Sequence, residues 1–567
     1  MSDTETPTGG MVNKSVNRLG RPPGSGTGRG RTGPRGRQSD PTSVAEVQGI
    51  IGKSELHTGL LLEYLHQIQD AVGGLRHRHL AALAQCLRLS PAEVYEVATF
   101  YHRFEVLSDE AAPAPRTIRI CDSLPCQMAG ADDLATAMTR DHGTEYRVVR
   151  AACMGRCDRA PVAARDDIYI DQADAQSIKA LAATQTQSET AAPEQDLAGY
   201  QAAGGYELLR HCLAGRMERA AVIAKLEQSG LRGMGGAGFP TGRKWGLVAN
   251  ESGPRLVAVN GDESEPGTFK DRHYLETDPH RFIEGMLLAA WAVDADAIYL
   301  YLRDEYPHLR RLLQRELTAV EQAGLQTLPV HMRRGAGAYI CGEESAMLES
   351  IEGKRGLPRQ RPPFPSQSGL FGRPTLINNI ETLYWARDAI NQGNGWQNLR
   401  SFSVSGRVRL PGVKRVPAGI SARALIEEHC GGMVPGHELT AFLPGGASGG
   451  ILPASLADEP MDFGTLEKHG ALIGSAALIV LSQHDDIGDV VRNLMAFFAH
   501  ESCGQCTPCR VGTEKAVAML NPDAGQADSG VLADLAQVMA DASICGLGHA
   551  AANPLRCALR HFPGAIS

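Results

Sequence analysis

Cys503, Cys506 and Cys509 stand in the run Glu501-Ser-Cys-Gly-Gln-Cys-Thr-Pro-Cys-Arg510, at C-x2-C-x2-C spacing. Three thiolates on so short a loop can converge on one face of an iron–sulfur cube and leave one iron for a distant ligand. Cys545, in Ser543-Ile-Cys-Gly-Leu-Gly548, is the candidate fourth. Zinc is the rival, because C-x2-C also suits a tetrahedral ion. Strict two-residue intervals favour a [4Fe–4S] cube, since zinc ribbons use separated pairs. A cluster moves single electrons.

A second set comprises Cys121-x4-Cys126 and Cys153-x3-Cys157. Four thiolates in two loops fit a [2Fe–2S] cluster, with structural zinc as the alternative. A thiol–disulfide site is less favoured, because these pairs lack redox C-x-x-C spacing. The other cysteines, Cys86, Cys212, Cys341, Cys430 and Cys557, read as buried structural thiols. Thirteen cysteines, eight of them in metal-ligand spacings, fit a reducing compartment rather than a disulfide framework.

Three further stretches carry polar chemistry. Gly230-Leu-Arg-Gly-Met-Gly-Gly-Ala-Gly-Phe-Pro-Thr-Gly-Arg-Lys-Trp245 contains a formal G-x-G-x-x-G at Gly233, Gly235 and Gly238. Met217–Gln228 before it reads as helix, so the Rossmann fingerprint context fails. Its glycines still let backbone N–H groups approach a phosphate, and Lys244 supplies charge. Asn260-Gly-Asp-Glu-Ser-Glu-Pro-Gly267 follows a strand ending at Val259. Strand ends in α/β domains bind ligands, although a solvated acidic loop would look the same. Gly335-Ala-Gly-Ala-Tyr-Ile-Cys-Gly-Glu-Glu344 also follows a strand. In Pro374-Thr-Leu-Ile-Asn-Asn-Ile-Glu-Thr382, Asn378 and Asn379 suit either a phosphate or a helix cap.

These motifs need several domains to position them, as 567 residues allow. Residues 1–42 form a basic arm rich in Gly, Pro and Arg, expected to be disordered alone. Residues 43–112 read as helical, with Leu61, Leu62, Leu65 and Ile68 at helical spacing. Ser90-Pro91-Ala92-Glu93 is a capping box opening a helix to Phe104. Residues 113–185 alternate β and α signals, with Thr117–Ile120 and Arg147–Arg150 running into their cysteines. A linker follows over 186–199. Residues 200–397 form a larger α/β unit with strands at Arg255–Val259, Ala297–Leu302 and Leu328–Met332. Residues 398–485 are β-rich and residues 486–567 helical.

Hydrophobic content of 43% and charged content of 21% are ordinary for a globular protein. The net charge of −8 gives no general attraction to nucleic acid or anionic membrane. No apolar run is long enough to cross a bilayer, and no secretory signal is visible, so a cytoplasmic protein is expected.

The glycine-rich, acidic and Tyr339 stretches, followed by the C-terminal cysteine run, resemble the NADH-binding flavoprotein subunit of respiratory complex I. Pro91-Ala-Glu-Val-Tyr-Glu-Val-Ala-Thr-Phe-Tyr101 and the four upstream cysteines resemble its small thioredoxin-like [2Fe–2S] partner. Both lie here on one chain, in the family order, over about residues 45–567. The fused arrangement is similar to the β (diaphorase) subunits of NAD-dependent molybdenum or tungsten formate dehydrogenases and of NAD-reducing hydrogenases. Tyr301-Leu-Arg-Asp-Glu-Tyr-Pro307 and Gly445-Gly-Ala-Ser-Gly-Gly-Ile-Leu-Pro453 look more like the formate branch.

The resemblance implies a thioredoxin-like [2Fe–2S] domain, a Rossmann-like FMN/NAD domain, a small β-grasp domain and a helical [4Fe–4S] domain. It implies that FMN lies against Gly233, Gly235, Gly236, Gly238, Lys244, Asn260, Asp262 and Glu263. Tyr339, Gly342, Glu343, Glu344, Asn378, Asn379 and Thr382 complete that pocket. Phe239, Glu265, Glu344 and Phe364 would contact NAD. Met234 stands where the family usually carries arginine and is left out of the site; Arg361 replaces a common lysine and keeps the charge. A flavin couples two-electron hydride chemistry to one-electron clusters. The expected function is therefore to take electrons from formate oxidation on a pterin-bearing α subunit and reduce NAD+. The upstream [2Fe–2S] cluster is a side store, and dimers of such heteromers are compatible. Nothing in the chain resembles a formate or pterin site.

Overall fold

The computed structural model describes residues 39–566 apart from 53–55, 112–116, 144–145, 184–191 and 526. The basic arm expected over 1–42 falls almost wholly outside the described residues. So do residues 186–191 of the polar linker, whose end is helical at Leu197–Ala202.

The flavin-domain expectation rests on one parallel sheet. Its strands lie in the order Thr375–Asn379, Arg255–Gly261, Ala295–Leu302, Val330–Arg334. The chain lays down three strands in one direction and then returns to the far side of the first. A crevice opens outside the carboxyl ends where the order reverses, between Arg255–Gly261 and Thr375–Asn379. There Asn260 and Asn379 are paired in register. The sequence reading missed Thr375–Asn379 as a strand. Pro374 and the two asparagines look like loop and cap residues, and only pairing with Arg255–Gly261 reveals the strand.

Period-two alternation divides this sheet between two cores. Val257, Val259, Ile298, Leu300, Leu302 and Leu376 pack with the helices Pro279–Ala292, Pro307–Gln322 and Ile380–Gln392. Leu256, Ala258, Ala297, Tyr301 and Ile377 face the other way, into a core shared with Val47, Leu65, Leu83 and Val94. The N-terminal helices Pro41–Ile51, Leu61–Val72, His77–Leu87 and Pro91–Phe100 are thus the second cover of the flavin-domain sheet, not a separate segment. The capping box is present: Ser90 N donates to Glu93 Oε2 at 2.7 Å and Glu93 N to Ser90 Oγ at 3.2 Å. That helix ends at Phe100, not Phe104, because Tyr101 turns extended and its hydroxyl donates to Lys354 O at 2.6 Å.

The thioredoxin-like domain has strands in the order Arg147–Ala151, Thr117–Cys121, Ala163–Arg165, Ile168–Ile170, the first pair parallel and the others antiparallel. Residues 399–482 form a five-stranded sheet in the order Gly412–Pro417, Leu399–Gly406, Ala477–Ser482, Leu439–Leu443, Leu452–Pro453. Its first and last strands in sequence are parallel neighbours at the centre, which is β-grasp topology. The helices Ile487–His500, Thr507–Met519, Ser529–Ala542 and Asn553–His561 share one core with it, from Phe402 and Val480 to Leu494, Met539 and Leu555. Among the described residues no helix is long and apolar enough to cross a membrane.

Candidate functional site

The glycine-rich loop runs from helix Arg219–Gln228 to helix Thr241–Ala249 and lies across the crevice. It is pinned at its neck, where Gly233 N donates to Phe239 O at 2.9 Å, and at its tip, where Met234 N donates to Thr382 Oγ1 at 2.8 Å. The Met234 side chain is buried in the core. A Cβ on Gly235 would stand 3.2 Å from Asn379 Cβ. Gly238 has φ +64°, and a Cβ there would meet the Phe463 ring of the β-grasp domain at 2.7 Å. Such a cradle, whose floor any side chain would fill, suits close approach of a phosphate to backbone N–H groups.

The acidic loop separates into distinct tasks. Asn260 Nδ2 donates to Gly342 O at 2.8 Å, tying the two strand-end loops together, and its Oδ1 accepts from Asp262 N at 3.0 Å. Asp262 Oδ1 accepts from Ser264 Oγ at 2.5 Å, while its Oδ2 is buried without a hydrogen-bond partner. Burial raises the Asp262 pKa to about 7. An orphaned buried oxygen facing Gly342, with a Cβ there 3.8 Å away, fits a donor on a bound ring. Glu263 is turned inward. Its carboxylate accepts from Asp271 N at 2.7 Å, Arg272 N at 3.0 Å and Tyr306 Oη at 3.0 Å. It anchors the loop to the helix Lys270–Thr277. Glu265 Oε1 accepts from Ser448 N at 2.6 Å, and its Oε2 from the Tyr339 hydroxyl.

Glu343 is likewise structural, capping the helix Glu344–Ile351 by accepting from Ser345 N and Ala346 N, each at 2.9 Å. Its other oxygen accepts from Arg361. Glu344 Oε2 meets Lys244 Nζ at 3.0 Å, and its Oε1 meets Arg361 at 3.2 Å. Burial opposes ionisation of Glu344, but Lys244 and Arg361 together outweigh it and hold the pKa below the usual range. Asn378 Oδ1 accepts from Trp245 Nε1 at 2.9 Å, which locks the Lys244 helix to the strand end. Asn379 caps the next helix through Glu381 N at 3.0 Å and donates to Asp271 Oδ2 at 2.6 Å. Phe239 and Phe364 are 43% and 52% exposed, as stacking surfaces for a ligand must be. Sequence reasoning missed Asp271, Trp245, Ser448 and Phe463. Trp245 ends the quoted glycine run and Ser448 lies within the quoted Gly445–Pro453 stretch, so both were within reach; Asp271 and Phe463 come to the crevice only through the fold.

The charge state of Asp262 yields a test. The folded carboxyl keeps its proton to about pH 7, whereas an unfolded one loses it near 3.8. The native chain therefore binds more protons through that window, and this group's contribution to stability falls as pH rises from about 4 to about 7. In the flavin-free Asp262→Asn chain the unfolding midpoint should decline less across that window than in wild type, by differential scanning fluorimetry. An unchanged pH profile would place the carboxyl in a solvated setting instead.

Both cysteine sets occupy built sites. Cys121 ends its strand, Cys126 lies in the turn of helix Leu124–Met128, and Cys153 and Cys157 share a loop with their sulfurs 3.5 Å apart. All four are buried. Arg303 reaches this loop, donating to Cys153 O at 2.5 Å and to Glu263 O, and Arg272 pairs with Asp158 at 2.6 Å. The [2Fe–2S] loop is thereby sealed onto the acidic loop of the crevice. In the C-terminal set, Cys506 and Cys545 are the N-cap residues of Thr507–Met519 and Gly546–Ala550, and Cys509 lies in the first turn of the former. A Cβ on Gly548 would stand 3.4 Å from Cys509 Cβ, so the turn after Cys545 packs against Cys509. Among the described residues neither set brings three thiols within 4.8 Å of one another, the convergence a single tetrahedral zinc needs. Of the five remaining cysteines, four are buried and Cys86 is half-buried. Glu501, just before Cys503, accepts from Tyr339 N at 2.9 Å and so joins the cluster loop to the crevice.

A switch-point crevice with a glycine cradle, flanked by two iron–sulfur thiol sets, defines an NAD-linked iron–sulfur flavoprotein. Family models agree: residues 226–387 match the Nuo51 FMN-binding domain, 489–567 the NADH-ubiquinone oxidoreductase-F iron-sulfur binding region, and 47–186 the thioredoxin-like [2Fe-2S] ferredoxin. The chain belongs to the NADH-quinone oxidoreductase F-chain family of flavoproteins. It is 41% identical over 389 residues to the second of the NADH-quinone oxidoreductase F chains of Rhizobium meliloti (strain 1021), covering 65% of this chain and 92% of that protein. It is 39% identical over 371 residues to the mitochondrial NADH dehydrogenase [ubiquinone] flavoprotein 1 of Dictyostelium discoideum, covering 60% and 77%. Among solved structures it resembles NAD+-reducing [NiFe]-hydrogenase in the H2-reduced state, with a TM-score of 0.79 and 33% identity over 90% of this chain and 93% of that one. The air-oxidised state gives 0.78 and 32%, over 89% and 93%.

Proposed function

We propose that this chain is the diaphorase module of an NAD+-reducing complex, collecting single electrons from a partner subunit and delivering them in pairs to NAD+. When bound, FMN supplies both hydride exchange with a nicotinamide and one-electron exchange with iron–sulfur clusters. The observation that carries the proposal is the short bridge from the Cys503 loop through Glu501 to Tyr339 and on to Glu265. It holds the electron port against the nucleotide crevice. In this reading the backbone of Gly233–Gly238 and Lys244 hold the flavin phosphate, and Asn260, Asp262 and Gly342 face the ring. Asn378, Asn379 and Thr382 position the cradle. Phe239 and Phe364 stack on the dinucleotide, whose ribose takes Glu265, with Glu344 beside it. Glu263 and Glu343 support the loops from behind.

For the electron donor we propose a formate-oxidising subunit with a molybdenum or tungsten pterin, on the local wording of Tyr301–Pro307 and Gly445–Pro453. The likeness to a NAD+-reducing [NiFe]-hydrogenase over 90% of the chain favours the second reading, a hydrogen-oxidising partner. Purification of the native complex, with metal analysis and parallel formate:NAD+ and H2:NAD+ assays, decides between them. The isolated, flavin-loaded chain should reduce ferricyanide with NADH; failure to do so with FMN bound sinks the diaphorase reading. Glu265→Gln should raise kcat/KM for NADPH about tenfold or more, because a 2′-phosphate no longer meets a carboxylate.

A further inference from the structure

His102, His500 and Glu501 meet at a corner where Glu501, besides bridging the Cys503 loop to Tyr339, turns its carboxylate toward two histidines that neither the nucleotide crevice nor the cysteine sets use. His102 lies just past helix Pro91–Phe100, held by its backbone N–H donating to Gly337 O at 3.2 Å. His500 ends helix Ile487–His500, and Glu501 follows it. Their ligand atoms all lie within 4.8 Å of one another, and among the described residues this is the one such group of three. His102 Nε2 is 3.9 Å from Glu501 Oε2, and His500 Nδ1 is 3.4 Å from Glu501 Oε1. The imidazoles stack with centroids 4.2 Å apart and planes 21° from parallel. Both histidine side chains are well exposed, at 43% and 57%, while the carboxylate is 4% exposed. Two imidazoles therefore rim an opening with the carboxylate at its base.

These separations exceed the 2.7–2.9 Å or so of a charge-assisted hydrogen bond. They lie near the ~3.4 Å edge of a tetrahedron built on ~2.1 Å metal bonds. The surrounding shell orients the carboxylate: Glu501 Oε2 accepts from Tyr339 N at 2.9 Å.

We propose that His102, His500 and Glu501 bind one divalent cation of the zinc type, the exposed rings turning out of their stack so that both in-plane lone pairs face the ion, with water completing the tetrahedron. Two imidazoles and a carboxylate suit zinc rather than calcium or magnesium. The ion carries no electrons. It staples the N-terminal helices, which cover the flavin-domain sheet, to the C-terminal helices that hold the Cys503 loop.

The test uses the full chain with FMN and both clusters in place. One equivalent of Zn2+ is added, its affinity is read by competition with a chromophoric chelator, and its shell by zinc-edge X-ray absorption. One zinc per chain is expected, in a nitrogen–oxygen shell with two imidazoles and no sulfur. His102→Asn and His500→Gln should each weaken binding at least about tenfold, with iron and flavin contents unchanged. Sulfur in the shell would assign the zinc to cysteines and overturn the proposal. Unchanged affinity in both variants, or no binding at micromolar zinc, would overturn it as well.

Discussion

In the Cys545→Ala chain, the proposed partner-driven NAD+ reduction should fall to background while NADH:ferricyanide reduction survives. Cys545 caps the helix Gly546–Ala550 and is only 9% exposed. Its removal leaves one corner of the C-terminal iron–sulfur site without a thiolate, and among the described residues no other cysteine is placed to replace it. Cys545 lies at the margin of the core that the N-terminal helices share with the flavin-domain sheet, and the helical core from Leu532 and Met539 to Leu555 does not include it, so the fold should persist. Low-temperature EPR of the reduced chain should lose the [4Fe–4S] signal and keep the [2Fe–2S] one, whose four thiols sit in another domain. Ferricyanide can take electrons from the flavin directly, which is why the two activities should part. If both fall together with FMN still bound, the C-terminal cluster is not simply the port to the partner.

Gly285→Ala should be the most damaging single methyl addition near the crevice. Gly285 lies inside helix Pro279–Ala292, where it crosses Ile380–Gln392. A Cβ there would stand 1.9 Å from Leu383 O and 2.7 Å from Leu383 C. Both are backbone atoms within a helix, so neither can swing aside, and the helices must separate by about 1 Å or more in a close-packed core. Alanine's helix-propensity gain of about 1 kcal/mol is small beside an overpacking penalty of about 3 kcal/mol or more. The displaced helix begins beside Asn379 and carries Thr382, so the cradle should open with it. The expected result is loss of FMN on gel filtration and a lower unfolding midpoint for the flavin domain. Gly49→Ala is the control: a Cβ there meets nothing within 4 Å, so that midpoint should stay or rise. Equal behaviour of the two variants would show that the helix crossing tolerates the methyl.

What could be read without the fold was local. The two cysteine sets, the strands that run into Cys121 and Cys153, the Ser90 capping box and the glycine cradle all declare themselves within a few residues. Ligand spacing, capping and alternation are set by bond lengths and by hydrogen bonds between near neighbours. Together with the family resemblance they identified a flavin and iron–sulfur protein. Other features depended on which distant strands pair. Return of the chain to the far side of Arg255–Gly261 made Thr375–Asn379 a strand and set Asn379 beside Asn260. That placement gave the crevice its position. The same packing turned Glu263 onto Asp271 and Arg272, and Glu343 onto its own helix, although each looks as ligand-like as Glu265 in the sequence. It also made the N-terminal helices the second cover of the sheet and brought His102 to His500. A carboxylate's neighbours across a fold are chosen by burial and strand order, and no local pattern in the chain encodes them.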